Sequence, residues 1–501
     1  MARIRYRQRT IWEEFEGELP PGLQEVATFL EILSELDEEL VSDLERHRWR
    51  VTEYGNRVAP GRGRNELPVR AMWNLVAVSL YLRHGRQSEV LAELRRNSDL
   101  AELLGFEANG PNQYRLPSSS ALSRFHRKLR KSEKVREVFN RTVSLLAQEC
   151  PDFGKNTALD SSDIRSHARA GKRTEETSGK EGTEGPGKKS KKSKSKSKSK
   201  SKDGARKAVA SSSDPEASWS VKSKTRKRSD GTTYKEEKRT FGYKVFFDAD
   251  TTDPAVLSVE VETGSYPDTK KALAMLDSGL ERLPPGRRQT VAMDKGFDST
   301  ENVAGAWERG IAAIVPVRDV PQNLDSLPPQ DREVPLAPGS NIVRDTFTGE
   351  IFCYAGEAGA GGDCTKLTRR KLVYVGAELD RGCHKFRCPA GGAGPERCPF
   401  FDRCAAGSAG SLGRQVRVSF GVDIRRFAPV YPPSKRWKRL YKGRTAVERI
   451  NGFAKNVLKL DQHALRGKAA IELQALLAAI TINVRTLAAL RAKRQEEAEA
   501  A

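Results

Sequence analysis

An α/β domain, preceded by an all-α region and interrupted by two insertions, is the architecture this sequence predicts. Three observations carry it. Apolar residues recur at helical spacing up to about residue 150. Short apolar strands then alternate with helical patterns between residues 240 and 317, and long helical patterns resume from Ser434. Between these blocks the composition breaks twice, at a Lys/Ser tract and at a stretch rich in Cys, Gly and Pro.

Charge narrows the class of partner. The 501 residues hold 88 Lys and Arg against 66 Asp and Glu, a net charge of +22, with a pI near 9.7 and a mean hydropathy of −0.62. Such a field favours polyanions over acidic proteins or neutral metabolites, and nucleic acid is the first candidate. The most apolar late stretch, Ile471 to Leu490, is interrupted by Glu472, Gln474, Asn483 and Arg485, so no membrane span is expected. No apolar run follows the basic start MARIRYRQRTIWEEF, which predicts a cytoplasmic, reducing setting. Seven cysteines, an odd number, then suit metal ligands or free thiols better than a disulfide framework.

Residues 1–150 form the expected helical domain. Helical spacing runs from Leu23 to Arg48 and again after Pro68; Gln87 to Arg96 and Asp99 to Leu104 are separated by the capping pair Asn97-Ser98. Pro117-Ser118-Ser119-Ser120 launches a basic helix, Ala121 to Arg130, carrying Arg124, Arg127 and Lys128. Short helices ending in a basic one suit a helix-turn-helix that contacts DNA; a helical bundle with a solvated basic face fits the same pattern, and both stay open.

Residues 151–320 should hold the first part of the α/β domain, with 171–213 as a disordered insert. Lys188 to Lys202 has nine lysines interleaved with serines and no branched apolar or aromatic residue, so it cannot build a core. Order is expected to return near Asp214-Pro215-Glu216. Strands follow at Phe241 to Phe247 and Val256 to Glu262, then a helix (Thr269 to Leu283), a strand (Thr290 to Met293), a helix (Thr300 to Arg309) and a strand (Ile311 to Val317). Residues 321–430 break this rhythm as a Cys-rich insertion, and 431–501 supply the closing helices.

Two of the predicted strands end in carboxylates, Asn156 to Asp163 with Asp160, and Gln289 to Asp298 with Asp294; functional groups of α/β sheets gather at such ends. Asp298 reads instead as a helix N-cap with Glu301 three residues on. The helix near 441–458 is more telling. At about 100° per residue, Tyr441, Arg444, Glu448 and Lys455 fall within one sector of roughly 60°, opposite Ala446, Ile450, Phe453 and Val457. A helix pinned by its apolar side thus presents one acid among phosphate-binding partners, although a merely solvated face has the same pattern.

Tyr441, Arg444, Glu448 and Lys455, separated by two, three and six residues, resemble the Tyr-Arg-Glu-Lys signature of DDE transposases of bacterial insertion sequences. ALDSSDI with Asp160, AMDKGFDS with Asp294 and FGYKVFFDAD between them are similar to the segments that carry the family's first two acids and its second strand. LPVRAMWNLVAVSLYLRHGRQSEV through PSSSALSRFHRKL resembles the helical domain that precedes the catalytic one. The resemblance implies an RNase H-like catalytic domain, end cleavage, and joining of the freed 3′ ends to target DNA. It implies Asp160, Asp294 and Glu448 as the catalytic acids holding two Mg²⁺ ions, which Mn²⁺ can replace. It further implies DNA contacts by Tyr441, Arg444 and Lys455, and a homodimer synapsing two inverted repeats of double-stranded DNA. The Lys/Ser insert is longer than the family's, and the Cys-rich region resembles an insertion found in some branches.

In that region Cys383, Cys388, Cys398 and Cys404 form a candidate Zn²⁺ set, with spacings looser than compact zinc modules; free thiols are the alternative. Cys150 stands apart and is expected to be buried and inert. A non-catalytic, domesticated DNA-binding protein is the rival for the whole chain, against which the intact acidic triad argues. A histone-like protein driven by the Lys/Ser tract would leave the signature helix unexplained.

Overall fold

The computed structural model describes residues 22–46, 50–51, 57–58, 67–110, 113–170, 212–228, 232–321, 323–355, 368–389 and 414–500. The Lys/Ser tract and Cys364, Cys398 and Cys404 therefore lie outside the described residues.

The N-terminal helices are α1 (Leu23–Ser34), α2 (Glu38–Arg46), α3 (Val69–Tyr81), α4 (Gln87–Arg96), α5 (Ser98–Leu103), α6 (Ser119–Leu129) and α7 (Lys134–Glu149). The expected run from Leu23 to Arg48 is two helices. The reason is Asp37, which turns fully inward at the junction, accepts from Trp73 Nε1 at 2.6 Å and pairs with Arg70. Burial pushes its carboxyl above the usual range in spite of both partners. Asn97 caps α5 by accepting from the Leu100 amide at 3.0 Å, and Ser118 caps α6 in the same way, as their positions predict. The region is not purely helical: β1 (Arg50–Val51) pairs with β2 (Arg57–Val58), and β3 (Ala108–Gly110) with β4 (Gln113–Tyr114).

The central sheet is built from β5 (Asn156–Arg165), β6 (Ser218–Lys227), β7 (Thr233–Asp250), β8 (Val256–Thr263), β9 (Thr290–Met293) and β10 (Ala312–Ile314). Its spatial order β8-β7-β5-β9-β10 opposes β7 to its neighbours, while β5, β9 and β10 run parallel. Helices α8 (Ala272–Leu280) and α9 (Thr300–Glu308) make the crossovers that parallel strands require. Two features differ from expectation. Asp160 sits in the middle of β5, not at its end, because the strand runs on to Arg165 against Gly242. The second strand begins eight residues earlier than Phe241, since Thr233 to Gly242 pairs with the unforeseen β6. Apart from Trp219 and Val221, which are exposed, β6 consists of Ser, Thr, Lys and Arg, so it gives no core-facing apolar signal.

Residues 321–430 hold more regular structure than their Gly, Pro and Cys content predicts. Strands β11 (Glu333–Pro335), β12 (Ile342–Asp345), β13 (Ile351–Ala355) and β14 (Thr368–Lys371) make one antiparallel sheet; β15 (Val373–Glu378), β16 (Cys383–Arg387) and β17 (Gln415–Ser419) make another. They share a core of Ile342, Ile351, Leu372, Phe386, Val418, Phe427 and Tyr431. Asp298 ties this module to the central sheet. It does not cap α9, a task taken by Ser299, whose Oγ accepts from Asn302 N at 3.1 Å. Its carboxylate instead accepts from the Arg318 amide at 2.7 Å and pairs with Arg425, whose Nε lies 2.9 Å away.

The chain closes with α10 (Lys435–Lys442), α11 (Thr445–Asn456) and α12 (Lys468–Glu499). By length and composition α12 could cross a membrane, but its apolar window is 78% buried inside the fold. It packs on β8 and on α7, α1 and α3, so the N-terminal helices and the sheet share one core. Asn483 makes that junction specific. Its Oδ1 accepts from Val256 N at 2.7 Å, and its Nδ2 donates to Val256 O and Thr142 Oγ1, each at 2.9 Å, so a fully buried amide is satisfied.

Candidate active site

Three elements bring the predicted acids to one side of the sheet. β5 presents Asp160 beside Asn451 of α11, whose Nδ2 donates to Asp160 Oδ2 at 3.3 Å. Asp294 follows the last residue of β9 and accepts from the Lys295 amide at 2.7 Å, which fixes its rotamer at the start of a short turn. Glu448 lies in the first turn of α11, where its Oε1 accepts from Arg444 Nη2 at 2.6 Å.

Arg444 is the group these acids share. Burial works against its charge, yet Tyr441, Glu448, Asp160 and Asp294 together outweigh that and raise its pKa. Asp160 is pushed up to about 6, first by burial; Asp294 adds to the rise, while the Ser161 amide, Arg444 and Lys222 oppose it. A half-buried carboxylate held high beside a second carboxylate is an arrangement that gains from a cation.

The donor set fits a hard divalent ion. Asn451 Oδ1 is buried without a hydrogen-bond partner next to Asp160, an oxygen ligand in addition to the carboxylates. No three His, Cys, Asp or Glu side chains among the described residues are gathered closely enough to hold one ion together. Glu448, nearly half exposed, is turned onto Arg444. A two-ion site needs less of each ion, since Mg²⁺ takes one or two carboxylates and fills the rest of its shell with phosphate and water.

The signature residues are not on one continuous helix. Tyr441 belongs to α10, and the chain tightens at Gly443-Arg444 before α11 begins, with Arg444 N bonded to Tyr441 O at 3.1 Å. Tyr441 still faces the site. It stacks on Trp437 with ring centroids 4.9 Å apart, and the Arg444 guanidinium lies 5.8 Å from its ring centre. Lys455 is engaged within the fold, where its Nζ donates to the Asp163 carbonyl of β5 at 2.5 Å. Its burial lowers its pKa, with Asp461 and Asp163 opposing. Arg124, Arg127 and Lys128 stand exposed on α6, away from the acids.

Of the candidate zinc set, the two described members, Cys383 and Cys388, stand apart. Cys383 opens β16 and Cys388 lies just past its end, so at ~3.3 Å per residue they are roughly 16 Å apart, whereas thiolates on one ion sit about 4 Å from each other. Cys383 is buried beside Glu378, and Cys398 and Cys404 fall outside the described residues. Cys150 is half-buried rather than enclosed; its thiol donates to Asp253 at 3.3 Å and is pushed up by burial.

Sequence reasoning passed over Trp437, Asn451 and Lys222. Trp437 lies four residues before Tyr441 and Asn451 three after Glu448, spacings that share a helix face and could have marked both. Lys222, paired with Asp163 at 2.8 Å, belongs to the unforeseen β6.

Comparison with known families returns one match that spans this geometry: residues 157–484 fit the family described as "Transposase DDE domain", a stretch that contains Asp160, Asp294 and Glu448. No curated protein matches the chain.

Proposed function

We propose, since the chain belongs to the DDE transposase family, that it binds the ends of an insertion sequence, cleaves them by metal-dependent hydrolysis and joins the freed 3′ ends to target DNA. The observation that carries this is the convergence of Asp160, Asp294 and Glu448 on Arg444 from three separate elements. Family and residues agree with divalent ions as cofactors. Asp160, Asp294 and Glu448 would hold two Mg²⁺, or Mn²⁺ in their place, and the ions would supply an activated water and charge stabilisation at the leaving 3′ oxygen.

The chain's own residues position the strand. Arg444, released from Glu448, offers a forked contact to a phosphate, and Tyr441, braced by Trp437, offers a flat face and a hydroxyl to the cleaved end. Asn451 orients Asp160. Lys455 acts as a positioning residue for β5 and Asp160 rather than as a phosphate ligand. Exposed Arg124, Arg127 and Lys128 of α6 contact the inverted repeat, and two chains meet to synapse two ends, in the cytoplasm at the nucleoid.

The test is strand nicking on a duplex carrying the element's end, taken from the inverted repeats flanking the gene. Wild type should nick with Mg²⁺ or Mn²⁺, and Glu448→Gln should bind the duplex without nicking it. No nicking by wild type, or equal nicking by the variant, would leave the non-catalytic DNA-binding alternative in its place.

A further inference from the structure

Away from the acids, the N-terminal helices and the connection between α11 and α12 line an open cavity of about 430 Å³. Arg86, Arg127, Arg130, His84 and His126 line it, together with Leu465 of that connection. These groups crowd positive charge. The Arg130 guanidinium is lowered by burial and then by Arg127, and His126 is pushed down to about 4 by burial and then by Arg130. Among the described residues no carboxylate pairs with Arg86, Arg127 or Arg130. Glu89, the acid nearest in the chain, spends one oxygen on the amides of Gly85 and Arg86, at 3.0 and 3.2 Å. Arg130 Nε and His84 Nε2 are buried with no partner.

Crowded cations and orphaned buried groups each cost stability, and one anion at the centre relieves both. We infer that this cavity is a phosphate-binding site, in which Arg86, Arg127 and Arg130 grip the oxygens and His84 and His126 supply neutral hydrogen-bonding rings. Phosphate fits better than a carboxylate because the guanidinium forks come from two directions, Arg127 and Arg130 from the C-terminal end of α6 and Arg86 from the turn before α4, which suits a tetrahedral anion with several oxygens. Gln87 and Ser88, in the first turn of α4, form part of the wall, where the helix dipole favours negative charge. Two sources supply such a group. One is the backbone of a DNA strand lying along exposed Arg124 and Lys128, which continue from Arg127 on α6; this source rests on the function proposed above. The other is free phosphate, which does not.

Isothermal titration of the full chain with inorganic phosphate tests the site. Saturable binding is expected, weakened at least tenfold in both Arg86→Gln and Arg130→Gln. Arg86 is exposed at the mouth, so its variant folds and decides the matter even where Arg130→Gln does not. Competition by a short DNA duplex identifies the strand as the source; binding that survives excess duplex identifies free phosphate. Absence of saturable binding, or an affinity within twofold of wild type in the Arg86 variant, overturns the site. A chain that binds phosphate here but nicks no DNA loses the transposase function and keeps the pocket; one that nicks and binds no phosphate does the reverse.

Discussion

Two groups of arginines in this molecule differ in one respect, the company of acids. Arg444 sits among Glu448, Asp160 and Asp294, and Arg425 is held by Asp298 and Asp319. Arg86, Arg127 and Arg130 line a cavity with no acid paired to them among the described residues. A paired arginine organises the protein itself. Arg130, partly buried and with its Nε unpartnered, has desolvation to recover, and the exposed Arg86 and Arg127 beside it leave a ligand as the source of compensation.

The largest expected effect falls on the paired side. Asp160→Asn and Glu448→Gln keep size but remove a charge the ions require, so nicking should fall by about a thousandfold or more while gel-shift affinity for the end persists or tightens. Arg444→Gln should be milder, on the order of ten- to a hundredfold in nicking, because it removes positioning and leaves the acids in place. If Arg444→Gln matches Glu448→Gln, the arginine is more than a counter-ion and the contrast must be redrawn.

Asp298→Asn tests pairing as structure. Asp298 is buried and Arg425 keeps a second partner in Asp319, so the loss should lie at the low end for a broken buried pair, about 3 kcal/mol. Hydrogen exchange should show residues 333–355 and 414–431 loosening before the central sheet. Uniform loosening of the whole chain would show that the module is not an independent unit.

Acid should act on the histidines. His126 and His463 are each held at about 4 by burial, below the unfolded value near 6.5, so the native state binds fewer protons than the unfolded one between those limits. Their contribution is whole above about pH 6.5 and is lost as pH falls toward 4, up to roughly 3 kcal/mol each. Phosphate should diminish this loss at His126 and not at His463. Denaturant midpoints measured from pH 7 to 4, with and without phosphate, read the difference; an equal response of both histidines would separate His126 from the pocket.

The smallest effect belongs to the Lys/Ser tract. Removing 188–202 should leave end cleavage intact at low salt and flatten the slope of log affinity against log salt, since fewer phosphates are neutralised. Loss of cleavage with folding preserved would give the tract a role beyond nonspecific charge.

Local chemistry determined much of this protein in advance. Apolar periodicity marked helix over α1 and α2 as one run, and over α3 to α6 and α12, the caps at Asn97 and Ser118 followed from hydroxyl and amide chemistry, and short apolar runs marked the core part of β7 and β8 through β10, whereas α7 was not singled out. The spacing of Tyr441, Arg444, Glu448 and Lys455, together with the segments around Asp160 and Asp294, pointed to the family that residues 157–484 then match. What the tertiary structure decided was the partner of each polar group. Asp37 breaks a helix because Arg70 and Trp73, more than 30 residues on, draw it inward. Asp298 binds Arg425 rather than a helix end, Lys455 binds the Asp163 carbonyl rather than solvent, and Cys383 and Cys388 are held apart by the strand between them. The strands of 333–419 and of β6 have little apolar alternation, so their existence depends on cross-strand pairing that no local window contains. Periodicity is a property of neighbours in the chain, whereas a charge or a hydrogen-bonding group settles with whatever the fold brings within about 3 Å of it, and that is decided by packing across the whole molecule.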